Sequence, residues 1–161
     1  MFEKFGEFDS YEELNKAAEG QKAEGDVEAL KALAEENGID LEDVQDYLEG
    51  TISELATKLT AAIGKLAVEE KDLQPSEIVT DWLEYIRSCV MDDEQMCIAV
   101  RRRGKNLIGC IGEMLKWSYK NKYKVDDRIV KTSGISASGV EMGIPGMATA
   151  KKIIRKYYLG G

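Results

Sequence analysis

The chain has 161 residues, 43% apolar and 32% charged, with no histidine, three cysteines and a formal net charge of −8. That length and balance describe one globular domain, or one domain with a small appended unit, able to bury a core without disulfide or metal staples. No run of about 18 apolar residues exists to span a membrane. The missing imidazole removes Ser-His-Asp and Cys-His catalysis and the usual zinc and iron ligand sets.

The opening MFEKFGEFDS is acidic and lacks the apolar stretch of a secretory signal. Asp9-Ser10-Tyr11-Glu12-Glu13 predicts a helix start, with Ser10 as cap and Glu13 completing a capping box. Gly25-Asp26 predicts a second helix over Val27 to Glu36, closed by Asn37-Gly38. Asp40 opens a third, Leu41 to Glu49, closed by Gly50. These make a compact acidic unit, either a docking module or a cap on the core. Ile52, Leu55, Leu59, Ala62, Ile63 and Leu66 recur at three and four, predicting a longer helix from about Ile52 to Glu70. Within it Ala61-Ala62-Ile63-Gly64 is small enough for close helix contact. The polar stretch before Pro75 is the best domain boundary, giving an acidic helical module at 1–72 and a basic helical domain at 75–161.

Pro75 suits the first turn of a helix over about Ser76 to Met91, in which Ile78, Trp82, Tyr85, Ile86 and Val90 face the core and Trp82 is an anchor. Asp92-Asp93 ends that helix and caps another, Gln95 to Arg103, stopped by Gly104. The next runs from about Lys105 to Tyr123, with Ile108, Ile111, Leu115 and Tyr119 as its apolar stripe. A short helix is predicted from Arg128 to Thr132, then a short strand, hairpin or irregular loop near 135–144. A last helix follows on Met147, Ala150, Ile153, Ile154 and Tyr157. The fold class is mainly α: a small multi-helix domain with an acidic N-terminal helical module.

The net charge hides a segregation. Residues 1–94 hold 26 acidic and 8 basic side chains, net −18, whereas residues 95–161 hold 4 and 14, net +10. Either the two halves pack together and neutralise each other, or the protein presents two faces to partners. Arg101, Arg102 and Arg103 sit in a last helical turn, where cations suit the helix dipole. Three successive arginines nevertheless point in different directions, which suits phosphate or carboxylate recognition. Lys116, Lys120 and Lys124, four apart, predict one stripe, interleaved with Trp117, Tyr119 and Tyr123. Lys105, Lys151, Lys152, Arg155 and Lys156 complete the candidate contacts to a partner or nucleic acid.

GIPGMATAKKII has a glycine turn before a helix, as phosphate sites do, but lacks the Walker A spacing. It also resembles half of a helix-hairpin-helix motif, with Ala148 where the second hairpin glycine is expected. Asp92-Asp93-Glu94 and Asp126-Asp127 read as helix caps rather than metal ligands. Cys89, Cys97 and Cys110 lack CxxC spacing and read as buried, reduced thiols of a cytoplasmic protein. No catalytic residue, metal site or cofactor is expected, and the protein is read as a non-enzyme.

From about Tyr85 to Leu159, under half of the chain, the sequence resembles the PcfK-like proteins of conjugative elements. The residues that carry the resemblance are Asp92-Asp93-Glu94, the basic hinge Arg103-Gly104-Lys105, the helix IGCIGEMLKWSYKNKYKV and the terminal helix AKKIIRKYYLG. Some relatives of that family are anti-CRISPR inhibitors of the type II RNA-guided effector nuclease. The resemblance implies a mobile-element protein that acts by binding, in a bacterial cytoplasm or, if phage-encoded, in that of the host.

Such effectors hold nucleic acid in positively charged channels. An acidic face comprising Glu35, Glu36, Asp40, Glu42, Asp43, Asp46 and Glu49 would occupy such a channel as a DNA mimic. The basic residues named above would form a second contact, to the nuclease, DNA or guide RNA. The alternative is a DNA-binding accessory or regulatory protein of a conjugative or phage-derived element, working through its basic half.

Overall fold

Turn chemistry sets the first three helices. In the computed structural model, which describes residues 1–160, α1 spans Tyr11–Glu24. Ser10 Oγ accepts from the Glu13 N–H at 3.2 Å, and the Glu13 carboxylate accepts from the Asp9 N–H at 2.8 Å. Helix α2 is Val27–Glu36, with Asp26 Oδ1 accepting from the Ala29 N–H at 2.9 Å. Helix α3 is Leu41–Glu49, ended by Gly50 in the left-handed region that glycine adopts freely. One apolar cluster, including Leu14, Leu30, Leu33 and Val44, ties the three together.

Helix α4 is Lys58–Leu73 and starts six residues later than the apolar spacing predicts. Two interactions hold residues 51–57 off the helix. Thr57 and Thr60 form a reciprocal capping box. The Asn15 side chain grips Ala56, donating to its carbonyl at 2.7 Å and accepting from its N–H at 2.9 Å. Leu55 and Ala56 are still buried, which explains why the apolar pattern continued through them.

The seam of the molecule runs along α4. Ala61 belongs to the first cluster, while Ala62 and Leu66 belong to a second built from the rest of the chain. The turn at Asn37-Gly38 lies directly on α4, where a Cβ at Gly64 would collide with the Asn37 carbonyl. The Pro75 region is the turn from α4 to α5, so the two apolar clusters meet within α4 rather than at residues 72–75.

Helix α5 is Ile78–Asp92, and Trp82 is buried in its core face. Asp93 then caps α6, Glu94–Arg101, which packs on α4 and α5. Helix α7 is Leu107–Lys120, capped by Asn106, whose Oδ1 accepts from the Gly109 N–H at 2.7 Å. It is shorter than predicted and turned about one residue: it buries Leu107, Cys110 and Met114. Ile108, Leu115 and Tyr119 are 56%, 69% and 78% exposed, and Ile111 is half-buried.

Strand β1, Tyr123–Lys124, pairs antiparallel with β2, Glu141–Met142, and the one-turn helix α8, Asp127–Thr132, lies between them. The strand expected near 135–144 thus finds its partner in residues assigned from sequence to the end of a helix. Helix α9, Met147–Leu159, closes the second cluster with Ala150, Ile154 and Tyr158, against α5, α6 and α7. The fold is mainly α. No helix among the described residues is long and apolar enough to cross a membrane.

Candidate functional site

The seven carboxylates expected to form an acidic face have few internal uses in the fold. Glu35, Asp40, Glu42 and Glu49 are exposed, and Asp43 and Asp46 are half-buried. Asp40 precedes α3 without spending its carboxylate on a cap. Glu49 binds only the neighbouring Gln45 amide. Glu36 is the exception: its carboxylate accepts from the Lys4 and Phe5 N–H groups at 2.8 and 3.0 Å, pinning the N-terminal arm to α2. None of the seven carboxylates forms an ion pair within the described residues. Lys22 and Lys31 nearby work locally: Lys22 donates to the Tyr47 carbonyl and lies 4.3 Å from the centre of its ring, and Lys31 pairs with Glu28.

The three arginines do not form one patch. Arg101 is 1% exposed, so it is a component of the seam and not a surface contact. Its Nη2 donates to Asn37 Oδ1 at 3.0 Å, and Phe2 lies over the guanidinium at 5.9 Å. Burial pushes its pKa down, and Glu7 and Glu69 oppose that shift. Arg102 is exposed. Arg103 turns to the N-terminal arm, its Nε donating to the Glu7 carbonyl at 2.8 Å and its Nη2 lying 3.9 Å from Glu13.

Beside Arg101 lies a buried ionic junction that the sequence did not advertise. Lys65 on α4, 1% exposed, donates to the carbonyls of Arg102 and Lys105 at 2.7 and 2.8 Å and pairs with Glu7 at 2.6 Å. Glu69, one turn on, lies 3.9 Å from Lys65 and accepts from the Leu107 N–H at 3.0 Å. Burial raises the Glu69 carboxyl to about 7 against the opposing field of Lys65, and burial likewise lowers Lys65. The only sequence signal was an i, i+4 Lys–Glu pair on the core face of a helix.

The remaining basic residues divide into paired and free. Lys116 pairs with Glu113 at 2.5 Å, Lys124 with Asp127 at 3.1 Å and Arg155 with Asp93 at 3.1 Å. Lys151 lies over the Tyr85 ring at 5.1 Å. Lys105 donates to the Tyr157 carbonyl at 2.6 Å. Lys120, Lys152 and Lys156 have no ion-pair partner among the described residues. The predicted stripe is broken, because α7 ends at Lys120 and Lys124 belongs to β1.

Folding instead gathers Lys105, Lys116, Lys120 and Lys156 around a groove of about 450 Å³ between α7 and α9, with Trp117, Asn121 and Tyr157. The sequence could not join α9 to α7. The triplet Ile153, Lys156 and Tyr157, at three and four, was the available trace.

The GIPGMATAKKII segment forms the start of α9, with Gly146 at its cap position. All three cysteines are buried and unpaired. Burial pushes the Cys110 thiol up to about 12, so it is not a thiolate at neutral pH. No group of three or more Cys, Asp or Glu residues among the described residues is placed to hold a metal ion. Comparison with protein-family models, curated proteins and solved structures finds no match.

Proposed function

We propose that this protein is a non-catalytic inhibitor that binds a type II RNA-guided effector nuclease, its acidic helices occupying the basic channel that DNA would fill. The observation that carries the reading is the set of unneutralised carboxylates on α2 and α3, chiefly Glu35, Asp40, Glu42 and Glu49, on a half of the chain with net charge −18. A solvated acidic face needs no partner, but this one keeps its charge although a +10 half lies in the same molecule. Among the described residues the basic half reaches across through Arg103 at the rim, Arg101 in the seam and Arg155, which pairs with Asp93, and none of these touches Glu35, Asp40, Glu42 or Glu49. Fields of one sign raise the association rate with a channel of the opposite sign. The resemblance of residues 85–159 to PcfK-like proteins, some of whose relatives inhibit such nucleases, supports the choice of target. The site of action is then a bacterial cytoplasm.

The test is a cleavage titration with guide-loaded type II effector and target DNA. Stoichiometric loss of cleavage is expected from the natural chain. A Glu35→Gln, Asp40→Asn, Glu42→Gln, Glu49→Gln variant is expected to lose that inhibition while remaining folded. Full inhibition by the variant, or none by the natural chain, overturns the reading.

A further inference from the structure

The groove between α7 and α9 is built differently from the rest of the basic surface. Lys116 and Lys120 lie one turn apart on α7, Lys156 faces them from α9, and Lys105 closes one end. All but Lys105 are exposed. They converge closely enough that the Glu113 carboxyl is held below its ordinary range by hydrogen bonding to Lys116 and by the fields of Lys116, Lys120 and Lys156. Glu113 is the one carboxylate lining the groove, so a net positive charge remains.

Two aromatic side chains share this lining. Tyr157 is fixed in place: its hydroxyl accepts from the Asn106 N–H at 3.1 Å, and Tyr158 meets its ring edge-on at 4.9 Å. A Cβ at Gly109 would displace that hydroxyl, so this glycine is part of the construction. Trp117 is half-buried with its neighbour Asn121 held by a 2.9 Å bond from Nδ2 to the Trp117 carbonyl.

We infer that this groove binds single-stranded nucleic acid, a base stacking against Trp117 while Lys116, Lys120 and Lys156 hold the adjoining phosphates. Base–aromatic stacking beside a basic track is how proteins take single strands without reading sequence. Side chains four apart on a helix have Cβ atoms about 5–6 Å from each other, a spacing that lets Lys116 and Lys120 reach neighbouring phosphates. A volume of about 450 Å³ accommodates nucleotide units, whereas a duplex would bury its bases away from Trp117. An acidic peptide would satisfy the lysines but leave the aromatic wall unused. The inference is independent of what the acidic helices bind.

The experiment is fluorescence anisotropy of a short labelled oligothymidylate with the full chain, over a range of salt. Three phosphate contacts predict a slope of about −2 for log affinity against log salt. Lys120→Glu with Lys156→Glu should weaken binding more than about tenfold and cut the slope to about −0.7. Trp117→Ala should weaken it about tenfold through lost stacking. Lys131→Glu, exposed and outside the groove, should change little. Circular dichroism of each variant reports folding separately. Absence of binding at low salt overturns the inference. So does a duplex or an oligoglutamate bound as tightly as the single strand, or a loss at Lys131→Glu equal to that of the groove pair.

Discussion

The two poles carry their charge in different ways. Around the basic pole carboxylates are interleaved with the cations: Glu113 with Lys116, Glu141 with Lys122, Asp127 with Lys124, Asp126 with Arg128. On α2 and α3 no ion pair among the described residues engages Glu35, Asp40, Glu42 or Glu49, although Lys4 and Lys71 line the same pocket as Glu35. Much of the basic charge is therefore met at contact range within the molecule. The acidic face projects a field out to about the Debye length, 8–10 Å at physiological salt. Between them the seam holds Lys65, Glu69 and Arg101 out of water with Glu7 half-buried beside them, and there charge serves the fold.

Substitution at the seam should break this division most severely. Lys65→Ala leaves Glu7, Glu69 and two carbonyls without their cation, and removing one partner of a buried ionic group costs roughly 3–5 kcal/mol. Urea denaturation should show that loss, and a shift below about 1 kcal/mol would mean that water replaces the ammonium. The fourfold acidic variant is the functional counterpart, expected to abolish nuclease inhibition while changing stability by less than about 0.5 kcal/mol at each surface position.

A milder test uses pH. Because the folded protein holds the Glu69 proton more tightly than the unfolded chain, whose value is near 4.5, the contribution is complete below 4.5 and is lost as pH rises through about 7. Glu69→Gln keeps an acceptor for the Leu107 N–H and should flatten the decline in stability over that window. An unchanged pH profile would show that Glu69 is ionised throughout. The smallest effect is expected at Arg103→Ala, because this residue is 62% exposed: about 1 kcal/mol or less, chiefly from its hydrogen bond to the Glu7 carbonyl.

Local signals made much of the fold legible. Ser10, Asp26 and the glycine or Asn-Gly stops delimit α1 to α3 because capping is decided within a few residues. The start of α4 was hidden because Asn15, far away in sequence, satisfies Ala56 and releases residues 51–57 from the helix. The face of α7 was misread because two stripes one residue apart both have helical spacing. The more aliphatic one, with Ile108 and Leu115, lost to Leu107, Cys110 and Met114, which meet α4 and α9.

The candidate contacts show the same limit. Composition revealed the surplus of carboxylates on α2 and α3, since nothing there had to be paired. It could not reveal that Arg101 turns inward to Asn37, or that Lys156 joins Lys116 and Lys120. Those facts depend on tertiary neighbours.

Order of addition tests the central claim most directly. Guide-loaded type II effector would be mixed with the protein before or after saturation with target DNA, and complex formation measured by size exclusion with light scattering. Occupancy of the DNA channel by the acidic helices predicts a stable complex with the DNA-free effector and none once target is bound. Equal binding in both orders, or no complex in either, would contradict it.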